Sequence, residues 1–345
     1  MNRRDALKLI LGTTGGLGLY AGMNFPKSEY SLGAPTELHS NASRPLFAGW
    51  VDDLAARRRF VMRHRYPFLS QHNSEIKGTG EGKKVFLWKL FEQVIGHPLV
   101  PHYQTIGDCV SHSFGLSIDV LTAVRILMFH MPEHWVAESA TEIIYAGSRV
   151  EVGNNKVAGD GSTGAWAAEF IRSYGVLLRQ KYLNGEYDFT EYSGTKAREL
   201  GRRGAGVPDE LEPLCKLHPV KTCSIVRSWE ECRDAVANGY PVAMSSNLGF
   251  TTKRDKDGFL RRTLRPWYHS MAIIGIDDEY RRPGALVQNS WGIDWVSGPT
   301  RNDQPAGSFW VDASTINSAM KQGDSVAISG YVGYPRVEIP DYILW

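Results

Sequence analysis

Apolar side chains at Val110, Phe114, Ile118, Leu121, Val124 and Leu127 recur near the helical period, which predicts a helix over 109–128. Asp108 stands at its expected N-cap, so Cys109 opens the first turn, where the helix dipole favours a thiolate. Segments 137–150 and 164–174 repeat the helical pattern around a glycine-rich loop, 158–164. From about residue 219 the pattern shortens to β-type runs at 220–226, 241–245, 270–276, 285–288, 307–311 and 326–331. A helical front half and a strand-rich back half predict an α+β chain of two unlike lobes with a cleft between them. The runs 270–276 and 285–288 read as a hairpin turning near Glu279, which brings His269 and Asn289 to its open end. Asp277 and Asp278 are expected to be solvated residues of that turn. Residues 24–100 read as a lead-in. Gly80, Gly82 and Lys83 within it lack the Gly-Lys-Ser/Thr ending of a phosphate loop.

Composition narrows the functional classes. The 345 residues are 42% hydrophobic and 22% charged, ordinary globular values. A net charge of +2, from 39 basic and 37 acidic residues, gives no footprint for a nucleic-acid partner. Four cysteines are too few to staple a chain of this length. Cys215 and Cys223 are close enough in sequence to bridge if the segment turns back, and Cys232 reads as a buried thiol on a helix over 228–237. Pro132 separates His130 from His134, so no metal site and no cofactor are expected. Arg3 and Arg4 precede the charge-free stretch Leu9–Met23, which resembles a twin-arginine export signal over residues 1–23. Export to the periplasm or beyond follows, with membrane contact only through that signal. No other stretch reads as long and apolar enough to span a bilayer.

Three residues carry chemistry in a meaningful order. Cys109 supplies a nucleophile, His269 a base, and Asn289, in Asn289-Ser290-Trp291-Gly292, a group to hold the imidazole. Singly, each is more often structural. A lone buried Cys is usually packing, a lone His is usually hydrogen-bonded, and Asn-Ser-Trp-Gly is a plausible turn. Together, with Gln104 just before the Cys, they resemble the papain-like cysteine peptidases. Further blocks share the resemblance: 159–175 with the glycine-rich loop and helix beside the cleft, 228–246 with the helix–turn–strand before the His, and 307–311 with the strand after Asn-Ser-Trp-Gly.

That resemblance implies a papain-like two-lobed fold over residues 101–345, with a helical N-terminal lobe and a β-rich, barrel-like C-terminal lobe. It implies cysteine-dependent hydrolysis of peptide or protein substrates through an acyl-thioester. Cys109 would be the nucleophile, His269 its base, Asn289 the orienting group and Gln104 an oxyanion donor. Trp291 would cover the His–Asn contact, and Gly161, Ser162, Ser245 and Trp291 would border substrate. The chain departs from the family pattern at several points, among them three around the Cys. Gln104 is one residue closer to the Cys, Val110 replaces a Trp, and Asp108 sets a carboxylate beside the thiol. Two other functions fit the same residues: a papain-like binding or structural protein without turnover, and a Cys–His amidase acting on cell wall.

Overall fold

The computed structural model describes residues 47–72, 75–128 and 134–339. The expected export signal over 1–23, the lead-in up to residue 46, and His130 lie outside them. By its contacts the chain divides into residues 1–45 and 46–345, and the second unit is described here.

Three helices in the front of this unit are capped by side chains that their sequences supply. Asp53 accepts from the amides of Ala55 and Ala56 and opens α1 (Leu54–Arg63). Strand β1 (Lys84–Phe86) runs directly into α2 (Leu87–Ile95), which Gly96 ends in a left-handed turn at φ 79°. Next comes α3 (Cys109–Met128), the expected long helix. Then α4 (Thr141–Gly147) widens into a turn at Ser148–Val152. Thr163 caps α5 (Gly164–Ser173), and Ser193 caps α6 (Gly194–Leu200).

The back half supplies β2 (Thr222–Ile225), the Ser228-capped α7 (Trp229–Ala237), β3 (Val242–Ser246), β4 (His269–Asp277) and β5 (Gly284–Gln288). It ends with β6 (Ser308–Asp312), α8 (Ala313–Met320) and β7 (Val326–Ser329). These strands form one antiparallel sheet in the order β6-β5-β4-β3-β7-β2, with β1 also paired to β4. All six β-type runs read from the sequence are strands of it. The chain is an α+β structure of two unlike lobes.

Two expectations change. The lead-in does not reach residue 100: β1 is a strand of the main sheet, with Val85 opposite Ile276, so from residue 47 the segment is part of the body. By length and hydropathy α3 also passes for a membrane span, at a mean hydropathy of 1.3. Its residues are largely buried, however, between α2 on one side and β4 and β3 on the other. A helix apolar on all sides is here a core helix.

Candidate active site

The start of α3 meets the start of β4 at the Cys109 thiol. Cys109 is fully buried, and the backbone N–H groups of Ser270, Val110 and Gly49 oppose part of the effect of that burial on its thiol. Ser270 directly follows His269. Burial, with the Asp108 charge adding to it, pushes the thiol up to about 12.

His269 is equally buried, and Nε2 lies 2.7 Å from Asn289 Oδ1. The same oxygen accepts the Ser290 backbone N–H at 2.8 Å, which fixes it as the acceptor end of the amide. Nε2 therefore carries the proton, and Nδ1 of the neutral ring presents a lone pair. That buried Nδ1 has no hydrogen-bond partner. Burial pushes the imidazole down to about 4. The Trp291 ring stacks on the imidazole at 4.4 Å, and Trp267 and Trp295 pack behind it at 4.9 and 5.3 Å. The three indoles exclude water from the His–Asn contact.

The hairpin delivers this pair, with a register the sequence did not show. Gln288 stands opposite Ala272, and a bulge between Ile273 and Gly275 adds one residue to β4. Extending the rungs places Trp291, not Asn289, opposite His269. The Asn289 side chain reaches back along the strand to make its bond.

Gln104 is buried and held at both ends of its amide. Oε1 accepts the Ser290 hydroxyl at 2.6 Å, while Nε2 donates to the carbonyls of Ile106 (2.8 Å) and Phe47 (3.3 Å). Phe47 begins a strap, residues 47–51, that crosses the site. The Phe47 carbonyl also accepts the Trp291 indole N–H at 3.1 Å. Amides of Gly49 and Trp50 donate to the Tyr268 carbonyl at 3.2 and 2.9 Å. Across the strap, Ser162 N–H donates to the Gly49 carbonyl and Val51 N–H to the Ser162 carbonyl, a parallel bridge. A Cβ on Gly49 would lie 2.0 Å from the Gly107 carbonyl oxygen, so the strap fits only because that side chain is absent.

Four of the expected site residues converge: Cys109, His269, Asn289 and Gln104. Gly161 and Ser162 lie against the strap. A Cβ on Gly161 would come 2.9 Å from the Gly49 carbonyl oxygen. Ser245 differs from its expected place. It is fully buried in β3 with its hydroxyl 3.0 Å from that of Ser270, so it lies beneath the site and does not line a cleft. Asp108 also differs: its carboxylate accepts the Tyr192 hydroxyl at 2.8 Å, and its other oxygen has no partner, so it does not cap the helix amides. His112 packs its ring on Tyr192 at 4.7 Å. Asp277 is not a solvated turn residue but a buried one, ion-paired with Arg301, and Asp278 pairs with Arg233 at 3.2 Å. Cys215, Cys223 and Cys232 are free, buried thiols. No group of three or more His, Cys, Asp or Glu is placed to hold a metal among the described residues.

Sequence reasoning missed Phe47, Gly49, Trp50, Tyr268 and Asp324. Tyr268 carried the best signal, a non-glycine residue beside a candidate His. Its φ of 49° turns its carbonyl toward the strap, a conformation that costs an ordinary side chain energy.

No family model matches the sequence, and no curated protein does. Solved structures do. Xylellain, a cysteine protease from Xylella fastidiosa, is similar over 86% of this chain and 100% of its own, at 16% identity and a TM-score of 0.55. A procathepsin B from Trypanosoma congolense is similar over 85% of this chain and 87% of its own, at 11% identity and a TM-score of 0.48. The chain has the papain-like fold.

Proposed function

We propose that this protein hydrolyses peptide bonds through Cys109, and that residues 47–51 hold the site in a covered state. One observation carries the reading: the buried, unpartnered Nδ1 of a histidine whose Nε2 is tied to Asn289, at the start of the strand on which the Cys109 helix packs. A cysteine protease sharing the fold supports it.

The chemistry follows from those atoms. Nδ1 takes the thiol proton, and the sulfur attacks a peptide carbonyl. Negative charge on that oxygen is met by Gln104 Nε2, which the Phe47 carbonyl occupies in the covered state, and by the Cys109 backbone N–H. The imidazolium returns the proton to the leaving amine, giving a thioester. Water then attacks the thioester, His269 again taking the proton, and the thiol is restored.

The strap accounts for a neutral resting pair. With the thiol at about 12 and the imidazole at about 4, neither is charged near neutrality, and burial is the first cause of both shifts. Withdrawing the strap rehydrates the two groups and moves both toward an ion pair. The test is hydrolysis of a peptide library by the wild type beside Cys109→Ala. Cleavage by the wild type and none by the variant is expected; equal rates would sink the proposal.

The buried Asp108 carboxylate beside the thiol favours a second reading, a binding protein without turnover. An epoxide reagent selective for activated thiolates separates the two, since it labels Cys109 in a peptidase once the strap is displaced. We further infer from Arg3 and Arg4 that the protein is exported. Fractionation of cells carrying Arg3→Lys and Arg4→Lys tests this, with cytoplasmic retention expected.

A further inference from the structure

Trp50 is nearly buried at 3% exposure although it belongs to a surface-crossing strap. Its ring stacks beside Tyr268, with centroids 6.2 Å apart and planes at 22°. Its indole N–H donates to Asp324 Oδ2 at 2.7 Å. Asp324 is fully buried just before β7. Its other bonds come from the first amides of α5: Gly164 N–H to Oδ2 at 2.7 Å and Ala165 N–H to Oδ1 at 2.8 Å. Helix and carboxylate are tightly packed, since a Cβ on Gly164 would lie 2.3 Å from the Asp324 carbonyl oxygen. Arg57, the cation acting on Asp324, is itself paired with Asp52 at 2.5 Å.

This is a pocket with an aromatic wall and an acceptor at its floor. The two helix amides stay when the strap leaves; the third donor leaves with Trp50. A buried carboxylate stripped of a donor is costly, so whatever next fills the pocket is favoured if it brings an N–H. An aliphatic side chain brings none. An indole or a guanidinium brings both a flat face for Tyr268 and a donor for Asp324. The pocket adjoins the chemistry, because Tyr268, its aromatic wall, directly precedes His269, and the amides of Gly49 and Trp50 both donate to the Tyr268 carbonyl.

We propose that Asp324 is a specificity-determining residue, selecting peptides that place Trp or Arg beside the cleaved bond, with Trp50 as a resident stand-in for that side chain. The proposal rests on the peptidase reading, and its test separates the two. The full chain carrying Gly49→Ala, which unseats the strap, is given peptides with Trp, Arg, Leu or Val at each position flanking the scissile bond. Trp and Arg peptides are expected to exceed Leu and Val peptides by about tenfold or more in kcat/KM at one position. Adding Asp324→Leu should abolish or reverse that order. Aliphatic preference in the parent, or an unchanged order in Asp324→Leu, overturns the proposal.

A second measurement needs no turnover and leaves the α5 contacts of Asp324 intact. Labelling of Cys109 by iodoacetamide is compared in full-length Trp50→Arg and Trp50→Leu. Arg should preserve the wild-type protection within about threefold, and Leu should lose about tenfold. Equal protection by Leu means that the pocket reads shape and not a donor, which also overturns the proposal. If no peptide is cleaved but the two variants differ as expected, the peptidase reading fails and the pocket chemistry stands.

Discussion

Asn289 decides which nitrogen of a neutral His269 carries the proton. Its oxygen is claimed by the Ser290 amide and by Nε2, so a neutral ring has its lone pair on Nδ1. Asn289→Ala removes that constraint, a loss of about 1–3 kcal/mol, and kcat/KM should fall about tenfold to a hundredfold while KM changes little. A large rise in KM would instead point to a role in holding substrate. The same burial makes stability depend on pH. His269 is held near 4 in the fold against 6.5 in the open chain, so its contribution is complete above about pH 6.5 and is lost as pH falls toward 4. The limit is about 3 kcal/mol. Cys109, raised from 9 to about 12, contributes fully below about pH 9 and loses that contribution as pH rises toward 12. Denaturant unfolding of wild type and His269→Gln across pH 4–7 checks the acid limb, which the variant should flatten. Cys109, His269 and Asn289 could be picked out as candidates from the sequence because a nucleophile, a base and an orienting amide each need a particular side chain. The Phe47 and Tyr268 carbonyls were not, since every residue has one and only folding aims it. Asp324 lies outside every motif and gains meaning from a tryptophan far from it in sequence.

The hairpin β4–β5 was legible as an element while its register was not. The alternation of side chains fixes which strands pair, but the bulge at Ile273–Gly275 is a local kink that hydrophobic pattern does not encode. The hairpin turns between Tyr280 and Arg281, not at Glu279, and the bulge then shifts the ladder by one rung, so that Trp291 and not Asn289 falls opposite His269. The lead-in was misread for a similar reason. The three residues of β1 are too few to show a period, and their partner β4 lies far along the chain. The strap has no regular structure at all. Its signal was glycine: Gly49 faces Gly107, and Gly161 faces the Gly49 carbonyl, at distances no Cβ tolerates. Gly49→Ala should therefore expel the strap while leaving Cys109, His269 and Asn289 unchanged. Iodoacetamide labelling of Cys109 at pH 7 is expected to rise at least about tenfold, with far-UV circular dichroism unchanged. An unchanged labelling rate would mean that something other than the strap protects the thiol.

On the scale of the molecule, the strap joins the two lobes across the site. One edge is bonded to Ser162 beside α5, the other to Tyr268 ahead of β4. The two-lobed plan was legible because helical and strand periods fall in separate halves of the sequence. That a stretch of the supposed lead-in would lie between the lobes was not, because its bonds are made by main chain. The strap ends at Val51, and α1 begins at Leu54, anchored by Asp53. So short a link makes the blocking group an intramolecular ligand whose effective concentration is in the millimolar range or above, whatever the dilution. Its departure is a first-order event. The half-time for Cys109 to become reactive should stay constant over a hundredfold range of protein concentration, as measured by stopped-flow labelling. A half-time that shortens with concentration would show one molecule uncovering another. A free competing peptide faces the same arithmetic: it must be supplied at millimolar levels, or bind far more tightly than Phe47–Val51 does, before it gains the seat that the chain keeps for itself.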